Sequence, residues 1–161
     1  MTFRFVHAAD LHLDSPFKGI RETDPHVADV LRRATFDAYA SLIQQCLDRR
    51  VDALLVAGDV FDGADRSLAA QVQFVKGLER LQDAGIRAFI CHGNHDPLDG
   101  WGARIPMPSN VHQFGESAEA IAVDPQSPSG PVVCGISYPT REVRSSLLPG
   151  FPTREPGRFT I

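Results

Sequence analysis

Three short apolar runs each break off into a cluster of polar residues, and this constrains the fold more than any other feature of the chain. The runs are "FRFVHAA" (3–9), "VDALLVAG" (51–58) and "IRAFICHG" (86–93). The first is β-prone, and the other two are continuously apolar, as strands buried on both faces are. Two segments of helical period separate them. Asp24 offers an N-cap with Pro25 at the first helical position, and Val27, Val30, Leu31, Ala34, Ala38, Leu42 and Cys46 recur at spacings of three and four, which predicts a helix reaching about Arg49. Ser67 can cap a second helix with Leu68, Val72, Val75, Leu78 and Leu81 on its apolar face and Gly85 closing it. The order is strand, helix, strand, helix, strand. Both crossovers are long enough for right-handed βαβ units, so the class is α/β with a parallel sheet.

Beyond residue 100 the pattern changes. "VHQF" (111–114), "EAIAV" (119–123) and "PVVCGISY" (131–138) are short β-prone runs, and "DPQSPSGP" (124–131) reads as a hairpin connection. "TREVRSSLL" (140–148) is expected to form a short helix, and "GRFTI" (157–161) the start of a further strand.

At 161 residues the chain suits one domain, 1–161, with a single core. A net charge of −4 argues against a stand-alone nucleic-acid binder, although bound cations can supply a positive field locally. No apolar run approaches the ~20 residues that span a membrane, and the N-terminus lacks a signal-peptide pattern. Cys46, Cys91 and Cys134 are odd in number and far apart, which reads as buried reduced thiols in a cytoplasmic protein.

The polar clusters carry the chemistry. Strand one runs into Asp10-Leu11-His12, strand two into Gly58-Asp59-Val60-Phe61-Asp62, and strand three into Gly93-Asn94-His95-Asp96. Ligands of an open parallel sheet bind beyond the carboxyl ends of its strands, so the three clusters converge. Each alone has an ordinary reading as a turn or helix cap; three in order after three strands favour a metal site. Carboxylate, imidazole and amide oxygen together suit Mn²⁺, Fe²⁺ or Zn²⁺ better than Ca²⁺. If the backbone stays extended, Asp10 and His12 point the same way and grip one ion. Asp59 can bridge two ions and Asn94 can offer a neutral oxygen to the second. Two ions about 3.5–4 Å apart would clamp a phosphoryl group for in-line displacement. Gly58 and Gly93 suit sharp turns. Of the other histidines, His26 reads as solvated, His112 as a strand-edge residue and His7 as a hydrogen-bonded core group. His92 either neighbours the site or supports its loop.

The order "DLH", "GDVFD", "GNHD" resembles the first three motifs of the calcineurin-like metallophosphoesterases. The opening "FVHAADLHLDSPFKG" (5–19) is similar, more narrowly, to the SbcD-type DNA-repair exonucleases and their bacterial YhaO-like branch. The resemblance covers residues 3–100 well and the rest loosely. It implies a two-sheet sandwich flanked by helices, of which the βαβαβ sheet is the start. It also implies a dinuclear Mn-type site, with Fe, Zn or Mg as alternatives. On that analogy Asp10 and His12 bind the first ion, Asp59 bridges and Asn94 binds the second. His95 lies over the scissile phosphate, Asp96 orients His95, and Asp62 and His92 stand behind the ligands. DNA and an SMC-like ATPase are the partners implied.

The chain departs from that pattern after His95. The family continues with another histidine and a Gly-His-x-His segment, whereas here only His112 follows and no His-x-His occurs. The expectation is therefore an incomplete domain, weak binding of one ion rather than two, little activity in isolation, and self-association through uncovered sheet edges. Other readings are a phosphatase or cyclic-nucleotide phosphodiesterase, a non-catalytic docking module, and a flavodoxin-like binding domain, which leaves the metal-type clusters unexplained. Phe17-Lys18 could touch substrate. The Arg32-Arg33 and Arg49-Arg50 pairs read as solvated, and Arg141, Arg144, Arg154 and Arg158 enrich the C-terminal part in positive charge.

Overall fold

A computed structural model of the chain describes residues 2–15, 24–63, 67–100, 105–127 and 129–161. Phe17 and Lys18 lie outside the described residues.

Helix α1 spans Pro25–Asp48, and the Asp24 side chain accepts the N–H groups of His26 and Val27, satisfying donors that the first turn leaves free. Helix α2 spans Leu68–Asp83; Ser67 accepts the N–H of Ala70, and Gly85 leaves the helix at φ +72°. Strands β1 (Phe5–Ala8), β2 (Ala53–Ala57) and β3 (Arg87–Cys91) pair in parallel in that order. A fourth strand, β4 (Val111–Gln113), adds to β3, also in parallel. The second sheet is an antiparallel hairpin of β5 (Glu119–Ala122) and β6 (Val132–Gly135).

The alternation of side chains on β2 divides the core. Leu54 and Val56 face the two helices, in a cluster with Tyr39, Ile43, Phe74 and Leu78. Ala53 and Leu55 face the opposite way, toward the second sheet, with Phe89, Phe114, Val123 and Val133. This explains why Ala53–Ala57 has no polar positions. The helices thus cover one face and the hairpin the other. Tyr39 and α2 pack so closely that a Cβ on Gly77 would fall 2.4 Å from the Tyr39 hydroxyl oxygen. That hydroxyl donates to the carbonyl of Phe74.

Several local expectations differ. Strand β1 pairs only with β2 among the described strands, so its side chains are poorly covered: Phe5 is 38% exposed. His7 is exposed rather than a core group. Residues 140–148 form no α-helix; a 3-10 turn follows at Leu148–Gly150, because Pro149 and two serines break the helical pattern. The final segment joins the second sheet by a single bridge of Thr160 to Val132, with the Cys134 N–H donating to the Ile161 carbonyl and Ile161 packed against the Phe89 cluster. Cys46 is buried, while Cys91 and Cys134 are half-buried, and all three are free thiols. Arg144 is engaged by Glu142, and Arg158 by Glu155 and the Gly130 carbonyl, so these two are not free charges. No helix among the described residues is long and apolar enough to cross a membrane.

Candidate metal centre

The in-register pairing of Ala8 with Val56 and of Ala57 with Cys91 brings the three strand ends to one rim. Immediately past them the chain leaves extended geometry. Asp10, His12 and Asp59 have φ of 55°, 42° and 52°, and Gly58 has φ 83°. The premise that Asp10 and His12 share a side because the strand continues is therefore corrected. Left-handed backbone turns them together, at a cost of roughly 1–2 kcal/mol per non-glycine residue. Cross-loop hydrogen bonds hold this conformation: the N–H groups of Asp10, His12 and Leu13 donate to the carbonyls of Gly58, Asp59 and Val60 at 3.2, 3.1 and 2.9 Å.

Two glycines let the second and third loops touch. A Cβ on Gly58 would lie 2.8 Å from Gly93 Cα, and one on Gly93 would lie 2.2 Å from Asp59 Oδ1. Only glycine permits this approach. Asp59 Oδ1 accepts the N–H of His95 at 2.9 Å, fastening the third loop to the second.

The oxygen and nitrogen atoms that Asp10, His12 and Asp59 offer all lie within 4.8 Å of one another. Two carboxylates and an imidazole form a donor set that fits a divalent transition ion. A second set, His12, Asp62 and His95, shares His12 with the first. Asp62 Oδ1 is hydrogen-bonded to His12 Nδ1 at 2.8 Å and lies 2.9 Å from His95 Nδ1, within ion-pair distance. An ionised carboxylate only accepts, so His12 presents its Nδ1–H to Asp62, and the neutral form of that ring has its lone pair on Nε2. For His12 that nitrogen is the one facing Asp10, 4.0 Å from Oδ1.

Asp62, expected behind the ligands, thus bridges two histidines. Burial alone would raise its carboxyl, but hydrogen bonds from Ser15 and His12 and the charges of His12 and His95 hold it below the usual carboxylate range.

Asp96 does not orient His95 as expected. Its Oδ1 accepts the N–H groups of Asp59 and Gly93 at 3.0 and 2.8 Å, and its Oδ2 that of Val60 at 2.8 Å. Being 2% exposed, it is a buried organiser of both loops. His92 is also buried; its Nδ1 meets the Asp96 carbonyl at 3.1 Å, so it supports the turn. Asn94 sits on that turn, between residues tied to Asp96 and Asp59, with its side chain exposed.

Two serines escaped the sequence reading. Ser15 donates its hydroxyl to Asp62 Oδ2. Fully buried Ser137 accepts the N–H of His92 and donates to the Phe114 carbonyl, joining the ends of β3 and β4. Ser15 closes the turn after "DLH", a spacing that offered a signal; Ser137 lay inside an apparent strand and offered none.

Carboxylates and imidazoles gathered at the carboxyl rim of a βαβαβ sheet, with a second sheet packed behind, define a metallophosphoesterase. The chain belongs to the calcineurin-like phosphoesterase family, which matches it over residues 3–134. It is 44% identical over 110 residues to the uncharacterized metallophosphoesterase YhaO of Bacillus subtilis, covering 68% of this chain and 27% of that protein. It is 30% identical over 150 residues to the D component of the nuclease SbcCD of the same organism, covering 90% of this chain and 36% of that one. With the DNA double-strand break repair protein Mre11 of Methanosarcina mazei it shares 34% over 93 residues, covering 58% of this chain and 14% of that protein. The chain therefore spans between 14% and 36% of the length of these relatives.

Proposed function

We propose that this chain carries the metal-binding rim of a phosphodiester hydrolase of the DNA-repair exonuclease type, with Mn²⁺ as the preferred ion. The observation that carries the reading is the overlap of two groups at His12: Asp10, His12 and Asp59 on one side, Asp62 and His95 on the other. The nuclease and DNA-repair names of two of the relatives support a DNA substrate over a phosphatase or cyclic-nucleotide phosphodiesterase role. Partnership with an SMC-like ATPase belongs to the same proposal.

Asp10, His12 and Asp59 would hold one ion, and Asp59 with Asn94 would contribute to a second. When bound, such ions act as Lewis acids on the phosphoryl oxygens and lower the pKa of a coordinated water. The chain does the rest. Asp62, accepting from His12 Nδ1, turns Nε2 of that ring toward Asp10 for ligation. The same carboxylate lies 2.9 Å from Nδ1 of His95, whose half-exposed side chain is open to a substrate phosphate and can offer charge or a proton to the leaving oxygen.

With three protein donors for one ion and two for the other, these 161 residues bind one Mn²⁺ weakly and show little nuclease activity alone. Calorimetric titration with Mn²⁺, beside cleavage assays on DNA ends and on a small nitrophenyl phosphodiester, tests this. Two tight sites, or cleavage of the small ester alone by the full reading frame, would refute it. Retention of the scaffold without any Mn²⁺ uptake would favour the docking module.

A further inference from the structure

We propose that Ser15 is a positioning residue of this site, holding the Asp62 carboxylate in the orientation that serves both histidines. The inference rests on the metal-centre reading above and adds a residue to it.

The two oxygens of Asp62 divide their work. Oδ2 accepts the Ser15 hydroxyl, and Oδ1 accepts from Nδ1 of His12 and lies 2.9 Å from Nδ1 of His95. The rings meet edge to face, with centroids 5.2 Å apart and planes at 85°, so they reach one oxygen from different directions. Only a fixed carboxylate can satisfy both. Burial does not fix it, because the Asp62 side chain is 30% exposed. Among the described residues the remaining clamp is the serine. Ser15 is itself tied down, since its N–H donates to the His12 carbonyl at 3.2 Å. The ligand-bearing turn thus reaches forward to the carboxylate that orients its own histidine.

Without the hydroxyl, Oδ2 is open to water and the carboxylate gains rotational freedom. The Nδ1–H form of His12 then loses its enforced partner, the close contact with His95 loosens, and His12 presents Nε2 toward Asp10 for only part of the time. Partners behind metal ligands commonly affect metal affinity by about 10- to 100-fold.

The test compares the 161-residue chain with its Ser15→Ala and Ser15→Thr variants. Mn²⁺ affinity is measured by calorimetry, and the imidazole ¹⁵N shifts are recorded in EDTA to read the tautomers directly. Ser15→Ala should bind Mn²⁺ about tenfold more weakly and show mixed tautomers at His12, while Ser15→Thr restores both. Thermal unfolding in EDTA should be alike for all three. Unchanged affinity and tautomers in Ser15→Ala would overturn the assignment. So would loss of folding in that variant, which would make the role merely structural. If the unaltered chain takes up no Mn²⁺, the metal reading fails separately, and the imidazole shifts alone decide the role of Ser15.

Discussion

Asp59 Oδ1 accepts the backbone N–H of His95 at 2.9 Å, so a carboxylate poised to bind metal also anchors the neighbouring loop. The two duties separate by substitution. Asp59→Asn keeps an oxygen for the N–H but removes the charge. It should lower Mn²⁺ affinity about tenfold or more, with the His95 amide still protected from hydrogen exchange. Asp59→Ala should lose both. Calorimetry and amide exchange in EDTA measure the two effects independently.

Asp96 should matter more to stability than to chemistry. Asp96→Ala strands three N–H groups, on Asp59, Val60 and Gly93, that the buried carboxylate now satisfies. An orphaned buried donor costs about 1–3 kcal/mol, and partial access of water brings the expected total to roughly 3 kcal/mol. Urea unfolding in EDTA gives the value, and a loss under about 1 kcal/mol would contradict the role assigned to this residue.

Gly93→Ala should abolish metal binding while leaving most of the core intact. The new methyl would stand 2.2 Å from Asp59 Oδ1, so the carboxylate must move. The strands, buried a few residues away, need not. Circular dichroism close to that of the unaltered chain, with no calorimetric signal for Mn²⁺, is the expected pair of results.

The pH dependence of stability follows from Asp62. Its carboxyl is held below the ordinary carboxylate range in the folded chain. The resulting stabilisation is fully present above the unfolded pKa of about 3.9 and is lost as pH falls through the lower folded value. Urea midpoints in EDTA should therefore decline below about pH 4, and Asp62→Asn should flatten that part of the profile. The magnitude is modest because the side chain is partly exposed to solvent.

Much of the architecture was legible because it rests on periodicity and caps. Asp24, Pro25, Ser67 and Gly85 mark helix ends by local chemistry, and the unbroken apolar run around Leu54 and Leu55 records burial on both faces. The gathering of Asp10, His12 and Asp59 followed from their places after strands. What stayed hidden depends on contacts distant in sequence. The short run 111–113 gave no sign of parallel pairing with β3, and nothing near Asp96 shows that its partners lie on the Asp59 loop. The left-handed turn at Asp10 and His12 left only a faint trace, since Asp and His are enriched at positive φ but do not require it.

Asp10 and His12 follow the outermost strand, which has one neighbour among the described strands and leaves Phe5 and His7 in the open. Fraying of that margin would carry away two of the three donors while β2, β3 and both helices stay assembled. If the proposed centre holds an ion, its retention and the adhesion of the N-terminal strand are one equilibrium: whatever shelters this border also keeps the cation in place.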